Sequence, residues 1–216
     1  MPLDDLPLFP LHTVLFPGGL LPLQIFEVRY LDLMKRCEAS GEPFGVVMLQ
    51  RGSEVRRAPA GGPGPQPAET FADVGTLATL ERVERPQPGL MLVQCRGGPR
   101  FTLTGHAQRP HGLWTGQATL LPDDAAAAVP ADLVSLAPRL QDALRALGDD
   151  APVAAAVPHS DPRWHDAGWL SNRWSELLPI TAAERHRLMT LDNPLWRLEL
   201  VAEWLERLAR QADTAR

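Results

Sequence analysis

The hydrophobic pattern of this chain turns from mostly strand-like to helical at Pro122-Asp123-Asp124, and that change limits the possible folds more than any other feature. From Phe71 to Leu121, apolar residues alternate (VGTLATLERVE, RFTLTGHA) or run nearly unbroken (LMLVQCRG), and LWTGQATLLP closes the set. The turn formers PQPG, GGP and RPHG fall between these stretches. Alternate side chains of an extended segment share a face, so the stretch reads as successive strands. Their even spacing predicts a small closed or half-closed β-barrel. From about residue 130 onward the apolar residues recur at helical spacing. The expected fold class is therefore α+β. Residues 1–121 form a β-rich, barrel-like subdomain with one inserted helix, and residues 122–216 form a helical bundle.

The charge-free run at residues 6–26, LPLFPLHTVLFPGGLLPLQIF, is long enough to span a membrane. Pro7, Pro10, Pro17, Gly18, Gly19 and Pro22 would break a spanning helix, and a lone segment has no neighbours to satisfy the freed backbone groups. Asp4 and Asp5 precede it where a secretory signal carries positive charge. The run reads instead as two short buried strands joined by a Pro-Gly-Gly turn. An amphipathic helix follows, with Val28, Leu31, Met34 and Cys37 as its apolar stripe and an end near Gly41. PFGVVMLQ, residues 43–50, is a strand. Residues 51–70 are rich in Pro and Gly without periodicity and read as a mobile surface loop.

In the second half, Leu133, Leu136, Leu140, Leu144 and Leu147 share one helix face, with Pro138 in a first turn or at a kink. Residues 148–164 read as a loop. WLSNRWSELLPI is helical up to Pro179. Thr181 and Glu184 form a capping box that opens the next helix. Asn193-Pro194 opens the last one, with a stripe of Leu195, Leu198, Val201, Leu205 and Leu208.

Charge argues against several functions. The net charge is −5. Residues 1–121 hold eleven acidic and eleven basic side chains, so the barrel half is neutral and the second half carries the deficit. Duplex nucleic acid and anionic membranes call for many lysine and arginine contacts, so neither is an expected partner. Lys35 is the only lysine, and it lies in no glycine-rich phosphate-binding turn. It also leaves a Ser–Lys dyad without support. No G-x-S-x-G, HExxH or CxxC occurs. Cys37 and Cys95 fall in apolar stripes, where a reduced thiol is inert and a cytoplasmic setting is expected. His159, Asp161, His165 and Asp166 match no standard zinc spacing. No cofactor is expected. Five of the six tryptophans fall in the helical half, where core packing accounts for most.

The segment LPLFPLHTVLFPGGLLPLQIFEVRYLDLMKRC resembles the start of the substrate-binding N-terminal domain of ATP-dependent Lon proteases. The likeness continues through PFGVVML, VGTLATLERVE, GGPRFTLTGH and the helical tail, covering about residues 6–208. The resemblance implies a PUA-like barrel joined to a helical bundle that recognises a protein or peptide ligand. ATP hydrolysis and peptide cleavage belong to other modules of such proteases and are not expected here. Pro17, Gly18, Glu27, Arg29, Tyr30, Gly75, Arg100 and Phe101 match the signature. The candidate peptide contacts are Arg29, Tyr30, Arg100 and Trp114. RNA binding by the barrel, or a small-molecule enzyme with an unrecognised site, are the alternatives; oligomeric state is not readable.

Overall fold

A computed structural model describes residues 2–54, 69–148, 157 and 162–214. The chain divides into two compact units: Met1–Pro17 with Leu21–Pro122, and Gly18–Leu20 with Asp123–Arg216.

The first unit holds six strands, β1 (Pro2–Leu11), β2 (Leu20–Ile25), β3 (Phe44–Arg51), β4 (Thr70–Gln87), β5 (Leu90–Gln108) and β6 (Trp114–Leu120), and one helix, α1 (Val28–Ser40). Their order is β2-β5-β4-β3-β1-β6, and β6 pairs again with β5, so five strands close into a ring with β2 attached outside it. The β1–β3 pair is parallel and the other described ladders are antiparallel.

Two apolar layers explain why β1 and β3 lack clean alternation. Leu6, Leu8, Val47, Phe71, Phe101 and Leu103 share one cluster. Phe9, Leu11, Phe44 and Val46 share another with Tyr30, Leu33, Met34 and Cys37 of α1. A strand covered on both faces reads as a continuous apolar run. Phe101 has no exposed surface. A Cβ at Gly45 or Gly75 would come 2.7 or 2.6 Å from its Cζ, so these glycines leave the space that its ring fills.

Three local expectations need correction. The strands of residues 6–26 are not both buried: β2 adjoins β5, and only its Ile25 is buried. The helix stripe is displaced, because α1 buries Arg29, Tyr30, Leu33, Met34 and Cys37 while Val28 is 73% exposed. A strict three-residue step drifts around a helix of about 3.6 residues per turn, and the 30, 33, 34, 37 spacing holds one face. The sequence GGP is no turn but lies inside β5. Gly97 is there because the Phe16 carbonyl passes close by, where a Cβ would come to 2.1 Å.

The second unit holds α2 (Leu136–Leu147), a 3₁₀ turn (Pro162–His165), α3 (Ala167–Leu177), α4 (Ala182–Met189) and α5 (Pro194–Thr214). Its core joins Leu136, Leu140 and Leu144 to Trp169, Trp174, Leu198 and Val201. Leu147, placed on the apolar face from sequence, is 52% exposed at the helix end. Pro138 sits in the first turn of α2, and the capping box of Thr181 and Glu184 forms as read. Asn193 Oδ1 accepts from the Leu195 amide at 2.9 Å, opening α5. The expected loops at 51–70 and 148–164 lie largely outside the described residues, as do Arg56, Arg57, His159 and Asp161.

Candidate functional site

The first unit carries a cleft of about 750 Å³ beside the start of α1. Its helix side opens with Val28, which is 73% exposed. Glu27 is the N-cap, with extended backbone and no capping bond from its side chain. Its carboxylate instead accepts from Arg29 Nε at 3.1 Å. Arg29 turns inward, donates from Nη1 to the Gly112 carbonyl at 2.8 Å, and lies 4.4 Å over the Tyr30 ring. Tyr30 in turn stacks on Phe9 with centroids 3.9 Å apart. This chain of contacts fastens the β5–β6 turn to the first turn of α1.

The turn itself is the RPHG signal of the sequence. Arg109 donates its amide to the Leu113 carbonyl at 2.8 Å, and Gly112 closes the loop with φ +83°. It presents Pro110, His111 and Leu113 to the cleft, opposite Pro7 of β1 and Val28 of α1. Asp32 and Arg36, one and two turns along the helix, complete the rim. Phe26, just before the helix, is 52% exposed.

Asp5 bounds the cleft on the β1 side. It is the only non-glycine with positive φ among the described residues (59°), in a stretch where the β1–β6 register shifts between Leu3 and Leu6. Such irregularities re-aim side chains. The Asp5 carboxylate pairs with Arg109, whose hydrogen bond, followed by that of Thr115, holds its pKa below the ordinary aspartate value. Asp5 and Arg109 also line a second, more polar cleft of about 780 Å³ with Asp4, His106 and Gln117. The ion pair thus stands in the wall common to both.

The four residues singled out from sequence occupy different settings. Arg29 lines the cleft, and Tyr30 lies buried beneath it. Trp114 is half-buried, donates Nε1–H to Glu69, and packs against Phe71 and His106 with both centroid distances 5.5 Å. Arg100 is buried beside Pro122, whose carbonyl accepts from Nη2 at 3.4 Å. Along the β5–β6 ladder Trp114 pairs with Gln108 at one end, and Arg100 sits beside the Phe101–Leu120 pair at the other. The structure therefore brings Arg29 and Tyr30 together and leaves Arg100 apart. Sequence reasoning missed Val28, Arg36, His111 and Leu113. The usable signal was Val28 itself, a first-turn residue one step off the buried stripe.

Neither cleft is lined by serine, cysteine or lysine. Burial raises the pKa of Cys37 and pushes that of Cys95 up to about 12. Among the described residues no three of His, Cys, Asp and Glu gather as metal ligands would, and no helix is long and apolar enough to cross a membrane.

A closed ring of mixed strands bearing one helix, with a helical unit following it in the chain, is the architecture of a class of substrate-binding domain. The chain belongs to the family of the ATP-dependent protease La (LON) substrate-binding domain, whose profile matches residues 5–207. It is similar to the crystal structure of a Lon N-terminal domain protein from Xanthomonas campestris, at 29% identity and TM-score 0.71, covering 94% of this chain and 99% of that one. The fold is shared with the N-terminal domain of a Mycobacterium avium complex Lon protease, at 16% identity and TM-score 0.58, over 93% of this chain and 97% of that one. No curated protein matches the chain.

Proposed function

We propose that this chain is a protein- or peptide-recognition module that holds its ligand in the cleft beside α1 and carries out no ATP hydrolysis or peptide cleavage. The observation that carries the reading is the exposed pair Phe26 and Val28, at 52% and 73%, at the start of the helix that bounds the cleft. Large apolar side chains left in water beside a concavity suit partner binding. Membership of a substrate-binding family supports the same reading. Arg29 and Tyr30 serve as the cleft's frame, and Trp114 and Arg100 have no assigned contact with ligand. The buried reduced thiols suit a cytoplasmic setting, and the closed ring suits a PUA-like barrel.

The test is isothermal titration of the full chain with a permanently unfolded probe, reduced and carboxymethylated lactalbumin. Binding is expected, and Val28→Asp should weaken it about tenfold, as loss of an interface anchor does. Its melting temperature should not change, since the Val28 side chain packs little and an acid suits a helix start. Absence of binding, or ATP or casein turnover by the purified chain, overturns the proposal.

A further inference from the structure

The same cleft holds an imbalance of charge. Four cationic or titratable bases line it: Arg29, Arg36, Arg109 and His111. Two of them are neutralised in place. Arg29 is bound to Glu27 at 3.1 Å, and Arg109 to Asp5. The carboxylates of the lining are Asp5 and Asp32. Asp5 is hydrogen-bonded to Arg109 and Thr115 and feels Arg36 only through space, and Asp32 pairs with Lys35 at 3.4 Å. Arg36 is exposed and pairs with no carboxylate among the described residues, and the same holds for His111. The cleft therefore offers one guanidinium with no carboxylate in direct contact, beside the apolar residues Pro7, Val28, Pro110 and Leu113.

We infer that the preferred ligand is a peptide segment whose apolar side chain is flanked by aspartate or glutamate. The apolar side chain packs on these apolar residues and the carboxylate meets Arg36. This rests on the recognition reading above and narrows it. Local complementarity is required, because the chain as a whole is acidic, at −5, and repels acidic ligands elsewhere. A guanidinium also binds a carboxylate through two parallel hydrogen bonds, which favours this group over other acceptors.

Three labelled peptides, acetylated and amidated so that no terminal charge competes, distinguish the possibilities by fluorescence anisotropy. Each carries the same central Leu-Phe, flanked by Glu, Ser or Lys. At low salt the Glu peptide should bind about two- to fivefold tighter than the Ser peptide, as expected for an exposed ion pair, and the Lys peptide should bind weakest. Raising salt from about 0.05 to about 0.5 M, which shortens the screening length from roughly 14 to roughly 4 Å, should merge the three affinities. Arg36→Glu should reverse the order of the Glu and Lys peptides, each read relative to the Ser peptide on the same variant, and Arg36→Gln should abolish the order. If all three bind equally, or the order survives Arg36→Glu, the acidic preference is wrong while peptide recognition stands. If none binds, both fail.

Discussion

Arg197 donates from Nη2 to Asp124 Oδ2 across 73 positions of sequence, and the arginine side chain is wholly buried. Its Nε–H reaches Ser171 Oγ at 3.0 Å. A guanidinium out of water must keep its partner, since removing one side strands a buried charge. Asp124→Ala should therefore cost about 3 kcal/mol in urea unfolding. Replacing both with leucine and methionine should recover most of that loss. A cost well below 1 kcal/mol for Asp124→Ala would show that this pair does not hold the second unit together.

Gly168 is linked to the same pair. In a helix, Gly→Ala usually gains about 0.5–1 kcal/mol. Here the new Cβ would come 2.8 Å from Asp124 Oδ2 and 3.3 Å from Asp166 Oδ1. Gly168→Ala should thus destabilise the parent chain by about 1 kcal/mol and become neutral or favourable in the Asp124→Ala background. The double-mutant cycle reads the coupling directly; additivity would reject the steric account.

These contacts show where the sequence was readable. Strands, capping box and the opening of α5 rest on neighbours a few residues apart, so Thr181, Glu184, Asn193 and Pro194 announced themselves. The buried arginines did not. Arg173 and Arg197 look like ordinary surface residues in a helical pattern, and the burial of Arg197 is made tolerable by partners distant in sequence, Asp124 and Ser171. The cleft was half legible for the same reason. Arg29 and Tyr30 were visible through their motif. Val28 was assigned to the core by its spacing, and His111 and Leu113 come to the helix only through ring closure, which no local pattern encodes.

Gly97 marks a close approach of backbone to backbone. The Leu15–Phe16 segment lies against β4 and β5, with Thr76 Oγ1 donating to the Leu15 carbonyl at 2.6 Å. A Cβ at Gly97 would come 2.1 Å from the Phe16 oxygen, which a side-chain shift cannot relieve. Gly97→Ala should cost about 2 kcal/mol or more. Gly89 is the control: its φ is +80°, nothing lies within 4 Å, and Gly89→Asn should cost under about 1 kcal/mol. Equal losses in urea unfolding would argue against the clash.

Cys37 and Cys95 share a core cluster, and burial raises both pKa values, that of Cys95 to about 12. At pH 8 the Cys95 thiolate is then roughly one part in 10⁴, so alkylation should be negligible in the folded chain. Both thiols should react with iodoacetamide together, at the urea midpoint. The raised values also set a sign. The folded state keeps these protons after the unfolded chain has released them, so stability is intact below the ordinary thiol value. It falls as pH rises from there toward the folded value. Fast labelling of either thiol without denaturant would show that the α1 layer opens locally.

Glu184 gives the opposite dependence. Its carboxylate accepts from the Thr181 hydroxyl at 2.7 Å and from the Thr181 amide at 2.8 Å, and these bonds, the hydroxyl first, hold its pKa below the ordinary glutamate value. The folded chain therefore releases this proton more readily than the unfolded one. The contribution is present above the unfolded value and is lost as pH falls through the folded value. Thr181→Ala removes both the hydroxyl that Glu184 accepts from and the oxygen that receives the Glu184 amide at 3.2 Å. It should lower the melting temperature at pH 7 by a few degrees, and the gap to the parent should shrink toward pH 3 as the carboxylate is protonated in both chains. Hydrogen exchange at the amides of α4 (Ala182–Met189) should quicken in parallel. A gap that stays constant with pH would show that the lost cap acts without the Glu184 charge.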